Sequence, residues 1–303
     1  MSQAQSLDAA ARKNLVDSAL KQIAELYVFP EKTGDIARII HERDTKGEFN
    51  TSNPVEFADK FSQALKQAAQ DVHFMVTYDP DAPPPASSST PPKPVDLQQR
   101  GRLQNFGFKR VEVLPHNIGY IKLDTFFPTD GARTTVASTM NFVAYTDALI
   151  LDLRENGGGR PDMVALLASY FFDRVQPLTA IHWRDSGKTV TSETQVAVDG
   201  AKYLDKKVFI LVSKETVSAA EAFTYDMKTL GRVTVVGETT AGGANPGRGR
   251  QLNDHFSIFI PTGQAINPIT HTNWEHVGVV PDVSASAESA LQKALDLAVP
   301  AGR

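Results

Sequence analysis

The 303-residue chain contains no cysteine. That excludes disulfides, thiolate metal sites and a cysteine nucleophile, and it leaves the compartment open. No stretch reaches the ~20 consecutive apolar residues a membrane-spanning helix needs. The opening residues, MSQAQSLDAAARKNL, lack the basic-then-apolar pattern of a secretory signal. A cytoplasmic chain is therefore expected, or one whose signal has been removed. Basic runs are also missing and the net charge is −4, so nucleic acid is not an expected partner. The remaining composition, 41% hydrophobic and 22% charged, is that of an ordinary soluble protein. Its length suits two modest domains, or one domain with an appendage; a homo-oligomer is left open.

Apolar residues at Leu7, Ala11, Leu15, Ala19, Ile23 and Leu26 form a helical stripe. A second helix starts at SNPVEF, with Asn53 as cap, Pro54 at the first position and Glu56 completing a capping box. Phe57, Phe61 and Leu65 then share one face, and a weaker helix lies near Ile36–Ile40. Residues 1–78 thus read as an N-terminal helical domain and 79–110 as a linker. Its DPDAPPPASSSTPPKPVD segment is too rich in proline and serine to build a core.

From residue 111 to 303 the pattern changes. RVEVLP and NIGYIKL read as paired strands, and DALILDL, KVFILVS and RVTVVG as buried ones. Helices start at Pro161 and after Ser218, the latter stopped by Gly231. Strand–helix alternation with continuously apolar strands predicts a mostly parallel sheet covered by helices. Ligands collect at the carboxyl ends of such strands. Two stretches fall there, DLRENGGGRPD and SKETVSAAE.

Ser218 in the second stretch supports two readings. Ser-Ala-Ala-Glu fits a capping box, in which Glu221 reaches back to the cap. Alternatively, the hydroxyl is exposed at a strand-to-helix turn, where the first N–H groups of the helix hold an oxyanion. The glycine run is either a tight turn or a backbone N–H donor to the same oxyanion. As a phosphate loop it fails, having neither Gly-Lys-Ser/Thr nor Gly-x-Gly-x-x-Gly leading into a helix. No cofactor or metal is expected.

Three motifs occur in order: ILDLRENGGG, VFILVSKETVSAAEAFTYDMKTLGRVTVVGETTAGGANP and NWEHVGVVPDV. Together they resemble the tail-specific, or C-terminal processing, serine peptidase family. That family also holds the tricorn protease core and the modules of interphotoreceptor retinoid-binding protein. The resemblance covers roughly residues 111–285, and the N-terminal part, with LYVFPEKTGDIA, looks most like the retinoid-binding branch. It implies an α/β fold: a crotonase-like (ClpP/crotonase) spiral core of ββα units with an N-terminal helical domain. It further implies Ser218 as nucleophile, with oxyanion donors at the N–H groups of Ala219 and Gly159. The implied partner is a peptide or unfolded protein.

The chain departs from the family twice. Gly243 stands where a catalytic lysine is expected, and no lysine occurs between Lys228 and Lys293. The linker is also too short for the usual tail-capturing PDZ domain. Histidine is the natural substitute base near neutral pH. His73, in QDVHFMVTYDP, is similar in position to the tricorn-branch base, with His271 and His276 as alternatives. His41, His116, His182 and His255 read as structural or solvent-facing. Glu275 resembles the tricorn-branch glutamate that orients the base, with Glu221 and Asp71 as alternates; the plainer reading makes Glu275 a surface glutamate beside a packed Trp274. A competing function is a non-catalytic carrier of apolar ligands, its pocket lined by Phe106, Phe108, Phe126 and Phe127. A crotonase-like acyl-CoA enzyme would account for the glycine turn but not for Ser218 with GETTAGG.

Overall fold

The computed structural model describes residues 6–82 and 96–299. Most of the proline-rich segment, residues 83–95, lies outside them. The elements begin with α1 (Ala9–Leu26), α2 (Thr33–Thr45), α3 (Pro54–Ala69) and β1 (Met75–Tyr78). Next come α4 (Leu97–Leu103), β2 (Phe108–Leu114), β3 (Ile118–Leu123), α5 (Thr129–Val143), β4 (Ala148–Asp152) and α6 (Pro161–Ala168). They are followed by β5 (Pro177–Trp183), β6 (Lys188–Glu193), β7 (Lys207–Val212), α7 (Ala219–Thr229) and β8 (Thr234–Gly237). The chain closes with β9 (Gly247–Gln251), β10 (Phe256–Pro261), β11 (Gly263–Ile266), β12 (Val283–Ser284) and α8 (Ala290–Ala298). Residues 97–110, expected as linker, instead carry α4 and the start of β2. Asp96 caps α4 by accepting the N–H groups of Gln98 and Gln99, which the proline-rich context had masked.

The elements fall into two compact units. Of the described residues, one unit holds 6–82, 181–189 and 245–264, and the other holds 96–180, 190–244 and 265–299. In the first unit α3 begins as expected: Asn53 accepts the N–H groups of Val55 and Glu56 at 2.9 and 3.2 Å. The expected capping box is not closed, because Glu56 takes the Thr51 hydroxyl at 2.6 Å instead. Phe57, Phe61 and Leu65 turn inward and join Leu15, Ile23, Ile36, Ile40 and Phe49 in one core. Each such buried side chain stabilises the fold by roughly 1.5–3 kcal/mol. This unit is not purely helical. β1 pairs antiparallel with β10, Met75 opposite Phe259, and β10 pairs with β9.

The second unit carries a six-stranded mixed sheet in the order β12-β8-β7-β4-β3-β2. Only β2–β3 is antiparallel, and the other four pairings are parallel. Strands β3, β4, β7 and β8 are buried on both faces, as continuous apolar runs predict. In β4, Leu149 and Leu151 enter the larger core, which helices α5, α6 and α7 complete. Ala148 and Ile150 enter the opposite core, covered by α8. Val208, Ile210 and Val212 of β7 alternate in the same way with Phe209 and Leu211. Strands β5, β6 and β11 form a further sheet, ordered β11-β5-β6.

Candidate active site

Four turns leave the carboxyl ends of β3, β4, β7 and β8, where an open parallel sheet places its ligand groups. Hydrogen bonds lock them together. The Asn156 amide donates to Leu123 O at 2.7 Å and its Oδ1 accepts Gly158 N–H at 2.8 Å. Its carbonyl accepts Val217 N–H at 3.2 Å. The Thr216 hydroxyl donates to Leu153 O at 2.8 Å. Ala241 N–H reaches Thr216 O at 3.1 Å.

Ser218 opens α7 at the end of this lattice, with φ 60° and ψ −121°. A capping serine usually has extended backbone; Ser218 does not. The predicted capping box is present, with Ser218 N–H donating to Glu221 Oε2 at 2.9 Å. A non-glycine residue at such angles costs on the order of 1–3 kcal/mol and persists only where its surroundings enforce it. A sharp, strained strand-to-helix turn is the arrangement that presents a serine hydroxyl above a sheet.

The glycine run faces this turn. A Cβ on Gly158, whose φ is +92°, would stand 2.7 Å from Ser218 Cβ and 2.9 Å from Val217 O. On Gly159, at φ +139°, it would meet Phe126 O at 2.1 Å. Only glycine fits either position. The N–H groups of Gly157 and Arg160 are taken by Asp124 O and Phe126 O, and that of Gly158 by Asn156. Among the described residues, neither the Gly159 N–H nor the Ala219 N–H has an acceptor. Both are donors left available beside the serine.

The Glu275 side chain is only 7% exposed, which argues against the surface-glutamate reading. Its Oε2 accepts Ala244 N–H at 2.6 Å and its Oε1 lies 3.7 Å from His276 Nδ1. The neighbouring Trp274 is buried too and donates its indole N–H to Gly243 O at 2.9 Å. His271 and His276 are exposed, in turns with φ of 56° and 65°. His73 and Asp71 belong to the first unit, whereas Ser218, Gly159, Ala219, Glu221 and Glu275 belong to the second. The His73 side chain is 11% exposed, and its Nδ1 lies 3.4 Å from Asp71 Oδ1. Asp71 Oδ1 also accepts His73 N–H at 3.0 Å. Its Oδ2 accepts from the Tyr27 hydroxyl and the Asn245 amide, each at 3.4 Å.

Sequence reasoning missed Gly158, Asn156 and the extent of the Glu221 bonding. The glycines were visible, but nothing in GGG tells which one abuts the serine. The expected aromatic pocket is also overturned. Phe106, Phe108, Phe126 and Phe127 are at most 8% exposed and sit inside the main core of the second unit. Phe126 packs 5.8 Å from the Phe223 ring, and Phe106 stands edge-on to Phe127. Among the described residues, no cluster of three or more His, Asp or Glu side chains could hold a metal ion. No described helix is long and apolar enough to cross a membrane.

Residues 117–285 match the model of Peptidase family S41. The chain belongs to this family. It is 24% identical over 175 residues to the carboxy-terminal processing protease CtpA of Bacillus subtilis, covering 57% of this chain and 36% of that protein. It is 27% identical over 170 residues to the chloroplastic carboxyl-terminal-processing peptidase 3 of Arabidopsis thaliana, covering 55% of this chain and 31% of that one. The matched stretch thus spans about a third of these curated relatives. In fold, the chain is similar to a lipoprotein of Streptococcus agalactiae. The TM-score is 0.61 at 17% identity, covering 95% of this chain and 96% of that one.

Proposed function

We propose that the protein is a serine-type peptidase that hydrolyses extended peptides through an acyl-enzyme on Ser218. The observation that carries this reading is the strained Ser218 turn, packed on Gly158, with two unclaimed backbone N–H groups beside it. Ser218 Oγ attacks the scissile carbonyl while a base removes its proton. The N–H groups of Gly159 and Ala219 stabilise the resulting oxyanion, which in such sites is commonly the largest single contribution. The base then gives the proton to the leaving amine, and a water molecule repeats the sequence to release the acyl group.

Without a lysine, His73 is the proposed base. A carboxylate fixes its ring and stabilises the charged form. Glu275 was expected in that role. The ion-pair distance of 3.4 Å favours Asp71 instead, and Glu275 holds the Ala244 N–H beside the 242–244 turn. The finer fold reading, a crotonase-like spiral core with an N-terminal helical domain, accompanies this proposal. The carrier alternative loses its motive, because the aromatics meant to line the pocket are core residues.

Hydrolysis of unstructured peptides with free and amidated C-termini tests the proposal. Cleavage of both forms is expected, and Ser218→Ala should abolish it. Activity retained by Ser218→Ala would refute the nucleophile; strict dependence on the free carboxylate would refute the substrate class.

A further inference from the structure

Glu221 is fully buried, yet it is more than a helix cap. Its Oε2 accepts Ser218 N–H and Gly243 N–H, each at 2.9 Å. Its Oε1 accepts the Thr240 hydroxyl at 2.5 Å and Gly242 N–H at 2.7 Å. Four donors converge on two oxygens, and the backbone N–H groups among them cannot reverse their role. Three are backbone N–H groups. The fourth is the Thr240 hydroxyl, which also accepts Val279 N–H at 2.7 Å. Only a carboxylate satisfies this set, since a carboxamide would turn its NH2 group toward two of the donors. The arrangement connects two places that matter chemically. One is the strained backbone of Ser218, and the other is the turn where Gly243 stands in place of a lysine.

We propose that Glu221 is the positioning residue for Ser218, its carboxylate holding the serine backbone in the strained conformation and tying it to the 240–243 turn. The proposal rests on the nucleophile reading above and deepens it. A strained conformation persists only while its surroundings enforce it, and the Ser218 N–H bond is a direct restraint on that residue. Charge-assisted bonds of this kind are roughly twice as strong as neutral ones. Burial pushes the Glu221 carboxyl up from its ordinary value, and the four bonds oppose that shift without cancelling it. The Glu221 carboxylate bonds the backbone N–H of Ser218 and not its hydroxyl. Its loss should slow chemistry and leave substrate binding nearly intact.

The test compares wild type, Glu221→Gln and Thr240→Val in the full chain. It reads the rate of fluorophosphonate labelling at Ser218, kcat and KM on an unstructured peptide, and amide hydrogen exchange. Glu221→Gln should label and turn over ~100-fold more slowly, the scale of a small misplacement of a reacting group, with KM changed less than about threefold. Thr240→Val removes a donor that does not touch Ser218, and should cost only a few-fold. In wild type the Ser218 amide should exchange slowly, although amides at a helix start usually lack partners. That measurement decides the matter even where Glu221→Gln folds poorly. An unlabelled wild type would sink the nucleophile reading and this proposal with it. A labelled wild type with Glu221→Gln labelled at a similar rate would overturn this proposal alone. So would a fast-exchanging Ser218 amide, or a Thr240→Val loss as large as that of Glu221→Gln.

Discussion

Asp71 Oδ1 lies 3.4 Å from His73 Nδ1 and accepts the backbone N–H of the same histidine at 3.0 Å. One carboxylate oxygen therefore addresses both the ring and the backbone of the proposed base. Asp71→Asn preserves the volume but removes the charge that would stabilise an imidazolium. It should lower kcat by about 10-fold or more with little change in KM. Glu275→Gln, measured alongside, should cost less. The reverse ranking would return the orienting role to Glu275.

If His73 is the base, His73→Ala should reduce turnover on the order of 100-fold or more. His271→Ala and His276→Ala change exposed side chains in turns and should retain most activity. Peptide hydrolysis by the three variants separates the candidates. A near-normal His73→Ala with an inactive His271→Ala or His276→Ala would move the base to the C-terminal segment.

Gly158 and Gly157 provide a matched pair. Gly158→Ala forces a Cβ against Ser218 at a φ of +92°, whereas Gly157 has a normal φ and nothing within 4 Å of an added Cβ. Gly158→Ala should destabilise the protein by about 1–3 kcal/mol and sharply slow labelling of Ser218. Gly157→Ala should be nearly silent in both. Thermal unfolding and labelling rates of the two proteins check this.

Asp226, on α7, accepts the Thr179 N–H, the Thr179 hydroxyl at 2.6 Å and the Asn267 amide at 2.8 Å. Burial outweighs these bonds and pushes its carboxyl up to about 6, from 3.8. The folded state therefore holds this proton more tightly than the unfolded chain does. Its contribution to stability is full below about pH 4 and is lost as pH rises through about 6. Denaturant unfolding of wild type and Asp226→Asn at several pH values isolates the effect. The stability of wild type relative to the variant should fall across that window, and a flat or rising difference would contradict it.

Legibility in the sequence followed burial. β4, β7 and β8 were readable because both faces are covered, which leaves unbroken apolar runs. α3 was readable because Asn53, Pro54 and the Phe57–Phe61–Leu65 face agree. β9, with the sequence GRGRQ, carries no apolar signal and exists through its pairing with β10. α5 was hidden by Thr134, Thr135 and Thr139, weak helix formers that its packed face overrides. The joining of residues 245–264 to the N-terminal helices depends on Met75 meeting Phe259, a contact no local pattern announces. At the site, the position of Ser218 between strand and helix was legible. Its backbone angles, and the choice of Gly158 as its neighbour, arise from long-range hydrogen bonds and were not.

The central claim is that Ser218 is a nucleophile. The direct measurement is mass-spectrometric mapping of a fluorophosphonate adduct on the native protein, with Ser218→Ala as control. Losing the serine at the helix start costs only about 1 kcal/mol, so the control should still fold. A single adduct on Ser218, lost on unfolding and absent from Ser218→Ala, is the predicted result. A native protein left unmodified, or an adduct persisting in Ser218→Ala, would contradict the account.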